Sequence, residues 1–304
     1  MSAPAVSVAT ARPVTPSGRL VGFLTRSPVH ILLVAVALIW LVPSVGLLIT
    51  SFRSRSDIAS SGWWETLSNF NFTLDNYQNV LSNQDMAPSF LNSLLISVPA
   101  TIFPLLVGAL AAFAFSWIRF PFRDTIFLAI VALMVVPAQM ILVPVLRMFQ
   151  DLGNGLTGQK DLITGSFVGI WIAHTTFALP FAIFLLRNFF ITLPRDLIEA
   201  ARVDGASNMR VFARVILPLS VPALASFAIF QFLWVWNDLL MALVFVQEPD
   251  NLPMTVRISQ VQSTYGVEWH LLSAGAFALM AVPLAVFFSL QRYFVQGLLA
   301  GSVK

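Results

Sequence analysis

The chain contains no cysteine, which removes disulfides, thiolate metal sites and cysteine nucleophiles at once. Its three histidines, His30, His174 and His270, stand far apart with no ligand spacing among them, so no metal site is expected. Charge is also scarce: Asp, Glu, Lys and Arg supply 10% of the 304 residues, against roughly 25% in a soluble globular domain. So little charge cannot cover a surface that faces water. There is no Gly-x-x-x-x-Gly-Lys-Ser/Thr loop, so the usual backbone nest for ATP phosphates is missing and no cofactor is expected on this chain. What abounds is apolar, at 58% of residues. The composition calls for a lipid bilayer as solvent. The net charge of +3 is explained by membrane orientation rather than by a nucleic-acid partner.

A spanning helix takes about 20 apolar residues. Six segments qualify: His30–Phe52, Leu91–Trp117, Ile126–Phe149, Phe167–Asn188, Leu219–Val246 and Leu271–Arg292. The expected fold is an all-α membrane protein with six transmembrane helices. The first segment is too long for a cleaved signal peptide, and no small-residue cleavage pattern follows it.

Lys and Arg accumulate in cytoplasmic loops. With the N-terminus inside, twelve basic residues fall on the cytoplasmic side: Arg12, Arg19, Arg26, Arg119, Arg123, Arg187, Arg195, Arg202, Arg210, Arg214, Arg292 and Lys304. Five fall outside: Arg53, Arg55, Arg147, Lys160 and Arg257. The acids lean the other way, with Asp57, Glu65, Asp75, Asp85, Asp151, Asp161, Glu248, Asp250 and Glu268 outside. Both termini are therefore expected in the cytoplasm of a multi-pass protein of the plasma or inner membrane. Residues 1–27, rich in Ala, Pro, Ser and Thr, read as a disordered cytoplasmic tail, which leaves 28–304 as the membrane domain. The outer stretch Arg53–Pro88 carries Trp63, Trp64, Phe70, Phe72 and Tyr77. These form either an interfacial aromatic belt or a lip for an external partner.

A polar window lies between two long apolar segments, in the loop 194–218 that the charge count places inside. Pro194 suits a helix start, where its missing N–H costs nothing. Asp196 to Asp204 are good helix formers, Gly205 is a natural left-handed stop, and Ser207 can cap a second short helix running to Leu217 before Pro218 begins the fifth span. Leu197, Ala200, Ala201 and Asp204 fall at i, i+3, i+4 and i+7 on one face. The two alanines let another surface approach closely, with Glu199, Arg202, Arg210 and Arg214 as a polar rim. An amphipathic helix lying on the inner leaflet is the plain alternative.

The order Glu199-Ala200-Ala201, then Asp204-Gly205-Ala206, then Leu217-Pro218 resembles the cytoplasmic coupling loop of ABC importer permeases. Further positions resemble the carbohydrate branch, which includes the smaller permease of the maltose importer. These are Asn92-Ser93-Leu94, Trp236-Asn237-Asp238 and the glycine-rich tail with Gly297, Gly301 and Lys304. Ser302 and the final residues depart from that tail pattern. The resemblance runs from about Pro28 to the C-terminus. It implies a permease subunit of a sugar importer, for a di- or oligosaccharide, with the loop docking on a separate ATPase subunit. It further implies a second related permease, two copies of the ATPase carrying ATP and Mg, and an extracytoplasmic sugar-binding protein.

Charged groups in a span are rare and usually functional. Asp238 lies in the outer half of the fifth span. Gln231, Trp234 and Asp238, spaced three and four apart, are expected to share a narrow face with Asn237 at its border. That face offers sugar-binding amide, carboxylate and aromatic groups, or it braces neighbouring helices. Gln139 falls near mid-depth in the third span between Pro137 and Pro144, whose freed carbonyls could line a cavity. His174, Thr175 and Thr176 stand mid-span, where a lone His is more often a packing residue than a ligand. A gradient-driven transporter would call for paired buried acids or discontinuous inverted repeats, and Asp238 alone is thin support. An importer of a non-sugar solute is the other alternative.

Overall fold

The computed structural model describes residues 16–68, 70–83, 86–158, 163, 166–264 and 268–300. Among these, every regular element is helical. The long helices are α1 (Pro16–Ser51), α4 (Met86–Trp117), α7 (Phe167–Phe190), α11 (Val221–Trp236) and α14 (Trp269–Ala300), in chain order with shorter elements between them. Four stretches are long and apolar enough to cross a membrane: Pro28–Ser51, Met86–Trp117, Phe167–Phe190 and Trp269–Arg292. Two bent pairs bring the number of candidate spans to as many as six.

α4 and α7 form the centre and pack along much of their length. Small residues permit this. Ala100, Ala109, Ala112, Ala173 and Ala182 are buried, and a Cβ built on Gly108 would lie 2.6 Å from the Ala182 Cβ. Without a large hydrophobic gain between helices in lipid, such close backbone approach supplies the packing energy. Tryptophan and glutamine side chains then tie helices by donating to backbone carbonyls. Trp171 Nε1 reaches Leu95 O at 2.9 Å, Gln231 Nε2 reaches Ala100 O at 3.1 Å, and Trp236 Nε1 reaches Leu279 O at 3.0 Å. α1 lies against α14 and leaves a broad apolar face exposed, including Leu32, Ile39 and Trp40.

The third expected span is not one straight helix. α5 (Arg123–Ala132) ends in a tight turn, Leu133–Val135, and α6 (Ala138–Thr157) leaves at 104° to it. Pro137 is extended and stands just before α6 rather than inside a helix. Val136, which precedes it, is pushed into the extended conformation that a following proline favours. Only Pro144 is internal to α6.

The fifth expected span is broken at both ends. α11 bends by 76° from the preceding helical stretch, at Ser220, where Pro222 has no N–H to offer the carbonyl of Pro218. Pro218 therefore does not begin the span but sits before the bend, in the short helix α10 (Leu217–Leu219). At the other end α11 stops at Trp236, and α12 (Leu240–Phe245) starts only after Asn237 to Leu239.

The expected tail differs too: α1 already starts at Pro16, so residues 16–27 are helical, while 1–15 lie outside the described residues. The aromatic stretch after α1 folds into short helices, α2 (Arg55–Ser60) and α3 (Asp75–Gln78), around two buried polar anchors. Arg53 donates to Asp57 O at 2.7 Å and Ser61 O at 3.1 Å. Asn76 donates to Ser51 O at 2.9 Å and Arg53 O at 2.8 Å. Trp64, Phe70 and Phe72 remain exposed on this cap.

The α4–α7 contact makes a paired test. Gly108→Ala is expected to lower the melting temperature of the detergent-solubilised protein by the equivalent of about 1–3 kcal/mol, the usual cost of overpacking. Adding Ala182→Gly is expected to recover most of that loss. No recovery in a thermal melt would place the cost elsewhere than this contact.

Candidate functional site

The polar loop folds as a helix–glycine–helix elbow. α8 (Arg195–Val203) follows Pro194, as a proline before the first turn favours. It ends in a left-handed Gly205 with φ +78°. Gly205 N donates to Arg202 O and Ala206 N to Ala201 O, both at 3.0 Å, the paired bonds that close a helix end on glycine. Ser207 then caps α9 (Asn208–Val211), its hydroxyl accepting from Arg210 N at 3.4 Å. From there the chain passes through a wide turn, Phe212–Ile216, into α10. The wide turn accommodates the ring of Pro218, which cannot donate to Arg214 O.

The elbow has two faces of opposite character. Ile198, Val211, Phe212 and Ile216 are buried together with Ala109, Ala112 and Phe113 of α4 and Leu186 and Phe190 of α7. The Phe113 and Phe212 rings lie 5.3 Å apart between centroids. Glu199, Ala200, Arg202, Asp204, Gly205 and Arg210 are exposed on the other face, along with Val203 at 87% and Met209 at 60%. Ala201 is half-buried against the apolar cluster. Arg202, on that exposed face, also donates from Nη2 to Trp117 O at 3.1 Å, so its charge sits at the C-terminal end of α4, where the helix dipole favours a cation. The structure thus gathers Glu199, Ala200, Arg202, Asp204, Gly205 and Arg210 on one exposed corner rooted in α4 and α7, with Ala201 beneath it and Pro218 beyond it in α10.

The second set is not gathered. Gln231 is buried on α11, while Trp234 is 64% exposed, and Asp238 lies beyond the end of that helix. The expected shared face of Gln231, Trp234 and Asp238 therefore does not form, because the helical register stops at Trp236. Asn237 is exposed and donates to Leu233 O at 2.7 Å. Asp238 caps α12, Oδ1 accepting from Met241 N at 3.1 Å. Gln139 is exposed in the first turn of α6. Gly297 lies in α14, and Gly301 and Lys304 lie outside the described residues. Among the described residues no group of three or more His, Asp or Glu is placed to hold a metal ion.

Several residues that organise this region went unmarked in the sequence. Asn92, noted only for its motif, donates from Nδ2 to Asp250 O at 2.7 Å and Leu252 O at 3.2 Å. Its neighbour Ser93 accepts from Met254 N at 2.9 Å. These bonds pin to α4 the segment after α12 and the start of α13 (Met254–Thr264). The apolar root of the elbow was also unmarked, although four apolar side chains inside a polar loop were the available signal.

The chain matches the family described as binding-protein-dependent transport system inner membrane component over residues 104–300. It is 50% identical over 293 residues to the osmoprotective compounds uptake permease protein GgtD of Synechocystis sp., with 95% of each chain covered. It is 52% identical over 234 residues to the alpha-glucoside transport system permease protein AglG of Rhizobium meliloti. That match covers 77% of this chain and 60% of AglG. In fold it is similar to a chain in the crystal structure of a bacterial ABC transporter involved in the import of the acidic polysaccharide alginate. There the TM-score is 0.71 at 23% identity, covering 93% of this chain and 100% of the other.

Gly205→Val leaves room for the side chain, since nothing lies within 4 Å of the added Cβ, but places a β-branched residue at positive φ. The expected cost is about 1–2 kcal/mol, read as roughly tenfold or faster hydrogen exchange at the Ala206 amide. Unchanged exchange would mean that the turn does not depend on glycine.

Proposed function

We infer the function from one premise: the chain belongs to the family of binding-protein-dependent transport system inner membrane components. It is the permease subunit of an ABC importer for sugars, and ATP hydrolysis belongs to a separate partner subunit. The finer reading rests on the elbow, a polar, exposed surface standing on an apolar root. A helix end left exposed on one face and anchored on the other is suited to receive a push and pass it to α4 and α7.

In this reading the loop 194–218 faces the cytoplasm and docks on the ATPase through Glu199, Ala200, Asp204, Gly205 and Arg210. Arg202 and Ala201 tie the docking surface back to α4. Two ATPase copies, carrying ATP and Mg, drive this chain and a second related permease, with which it forms the translocation path. An extracytoplasmic sugar-binding protein delivers the solute. The four long apolar stretches and the two bent pairs make six spans in the plasma or inner membrane, with both termini cytoplasmic. The twelve-to-five excess of basic residues supports that orientation.

Exposed Trp234, Asn237 and Gln139 are the members of the second set available to a passing sugar, while Gln231 braces α11 against α4. The names of the relatives make alpha-glucosides the first solutes to test and osmoprotective compounds the second.

The native chain has no cysteine, so single-cysteine labelling tests orientation and docking together. Asn208→Cys is expected to react with an impermeant maleimide only from the cytoplasmic side, and Ser60→Cys only from outside. Val203→Cys is expected to cross-link to the ATPase subunit in the assembled importer. Reversed labelling would overturn the orientation, and correct labelling without any cross-link would overturn the docking surface.

A further inference from the structure

At the break between α11 and α12 lies a small cavity of about 10 Å³, with Ser93, His174, Asp238 and Thr255 among its polar walls and Ile170 and Val235 among its apolar ones. Three parts of the fold meet there: α4, α7 and the chain around Asp238. His174 is 3% exposed. Its Nε2 is buried without a hydrogen-bond partner, and it faces Asp238 Oδ2 at 3.8 Å. That separation is too long for a direct hydrogen bond, and a water bonded to both atoms would sit to one side of the line joining them, in the cavity. Asp238 has its other oxygen engaged by Met241 N, and its carbonyl accepts from Thr255 Oγ1 at 3.2 Å. Oδ2 is the atom of this carboxylate left facing His174.

We propose that this cavity is a binding site for a single ordered water, shared by His174 Nε2 and Asp238 Oδ2, which latches α7 to the break in the fifth span. The volume is on the order of what one buried water requires, and the walls supply the two or more polar partners such a water needs. Water can donate or accept, so it serves His174 in either tautomer. A buried donor left unmatched is costly, and so is a carboxylate of which only 11% of the side chain is exposed. One water answers both. The water would be present whichever solute the importer carries, because it belongs to the packing of Asp238, whose other oxygen already holds the start of α12.

A map of the assembled importer at a resolution that shows waters tests the site directly. One density peak within hydrogen-bond distance of both His174 Nε2 and Asp238 Oδ2 is expected. A direct His174–Asp238 bond, or a dry cavity, would overturn the proposal. A double-mutant cycle tests the latch in the same complex. His174→Leu is expected to lower the melting temperature by about 2–6 °C, and His174→Gln, which keeps a donor at the Nε2 position, is expected to restore it. His174→Leu with Asp238→Leu is expected to be no worse than the more damaging single change, because both polar partners are gone together. Additive losses, or a His174→Gln variant as unstable as His174→Leu, would show that no shared water joins the two side chains.

Discussion

The contact on which the rest depends is the burial of Ile198, Val211, Phe212 and Ile216 between α4 and α7. Each fully buried side chain of this kind contributes about 1.5–3 kcal/mol where the alternative is exposure to water, and in the reading above the elbow stands in the cytoplasm. Four such residues offset part of the entropy lost in ordering a short helix pair that could not hold its shape alone. They also free the opposite face. Glu199, Ala200, Asp204 and Arg210 have no role in anchoring the elbow and stay exposed, available for a partner. The socket itself exists because Gly108 and the alanines around it bring α4 and α7 together.

A second consequence follows from where the helices break. A rigid rod would carry a displacement of the elbow unchanged across the membrane. α11 instead bends by 76° at Ser220 and stops at Trp236, so the stretch between these points is a separate lever. It is tied to α4 by Gln231 and to α14 by Trp236. The segment after it is pinned to α4 by Asn92 and Ser93. α4 thus meets the elbow near its C-terminal end and the segment after α11 near its N-terminal end. α7 also touches both, through Leu186 and Phe190 at the elbow and His174 beside Asp238, so the two central helices together are placed to carry force between them.

Features encoded by neighbours in the chain were legible in the sequence. The stop at Gly205, the cap at Ser207 and the start after Pro194 depend on local backbone chemistry, and the structure places all three where the residues direct. The apolar segments were legible as well, since hydropathy needs no knowledge of partners. The breaks in the third and fifth segments were not, because apolar residues resume on both sides of Pro137 and of Asn237-Asp238, so each segment read as one span. The face drawn through Gln231, Trp234 and Asp238 failed for that reason: it assumed a helix that ends two residues early. The reach of Asn92 to Asp250 and the approach of His174 to Asp238 join parts of the chain far apart in sequence. No spacing rule connects them. Residues 16–27 were expected to be disordered from composition, yet helix α1 runs through them.

Phe212 is the residue through which the central claim is most directly tested. It lies in the root, in ring contact with Phe113 of α4, and away from the docking face. In the assembled, reconstituted importer, sugar moved per ATP hydrolysed should be compared between the native chain and Phe212→Ala at equal complex content. If the apolar root carries motion from the elbow to α4 and α7, that ratio is expected to fall by about 2- to 30-fold, the range spanned by coupling changes of 0.5–2 kcal/mol. A ratio unchanged from the native complex, whether or not transport and hydrolysis decline together, would contradict the account.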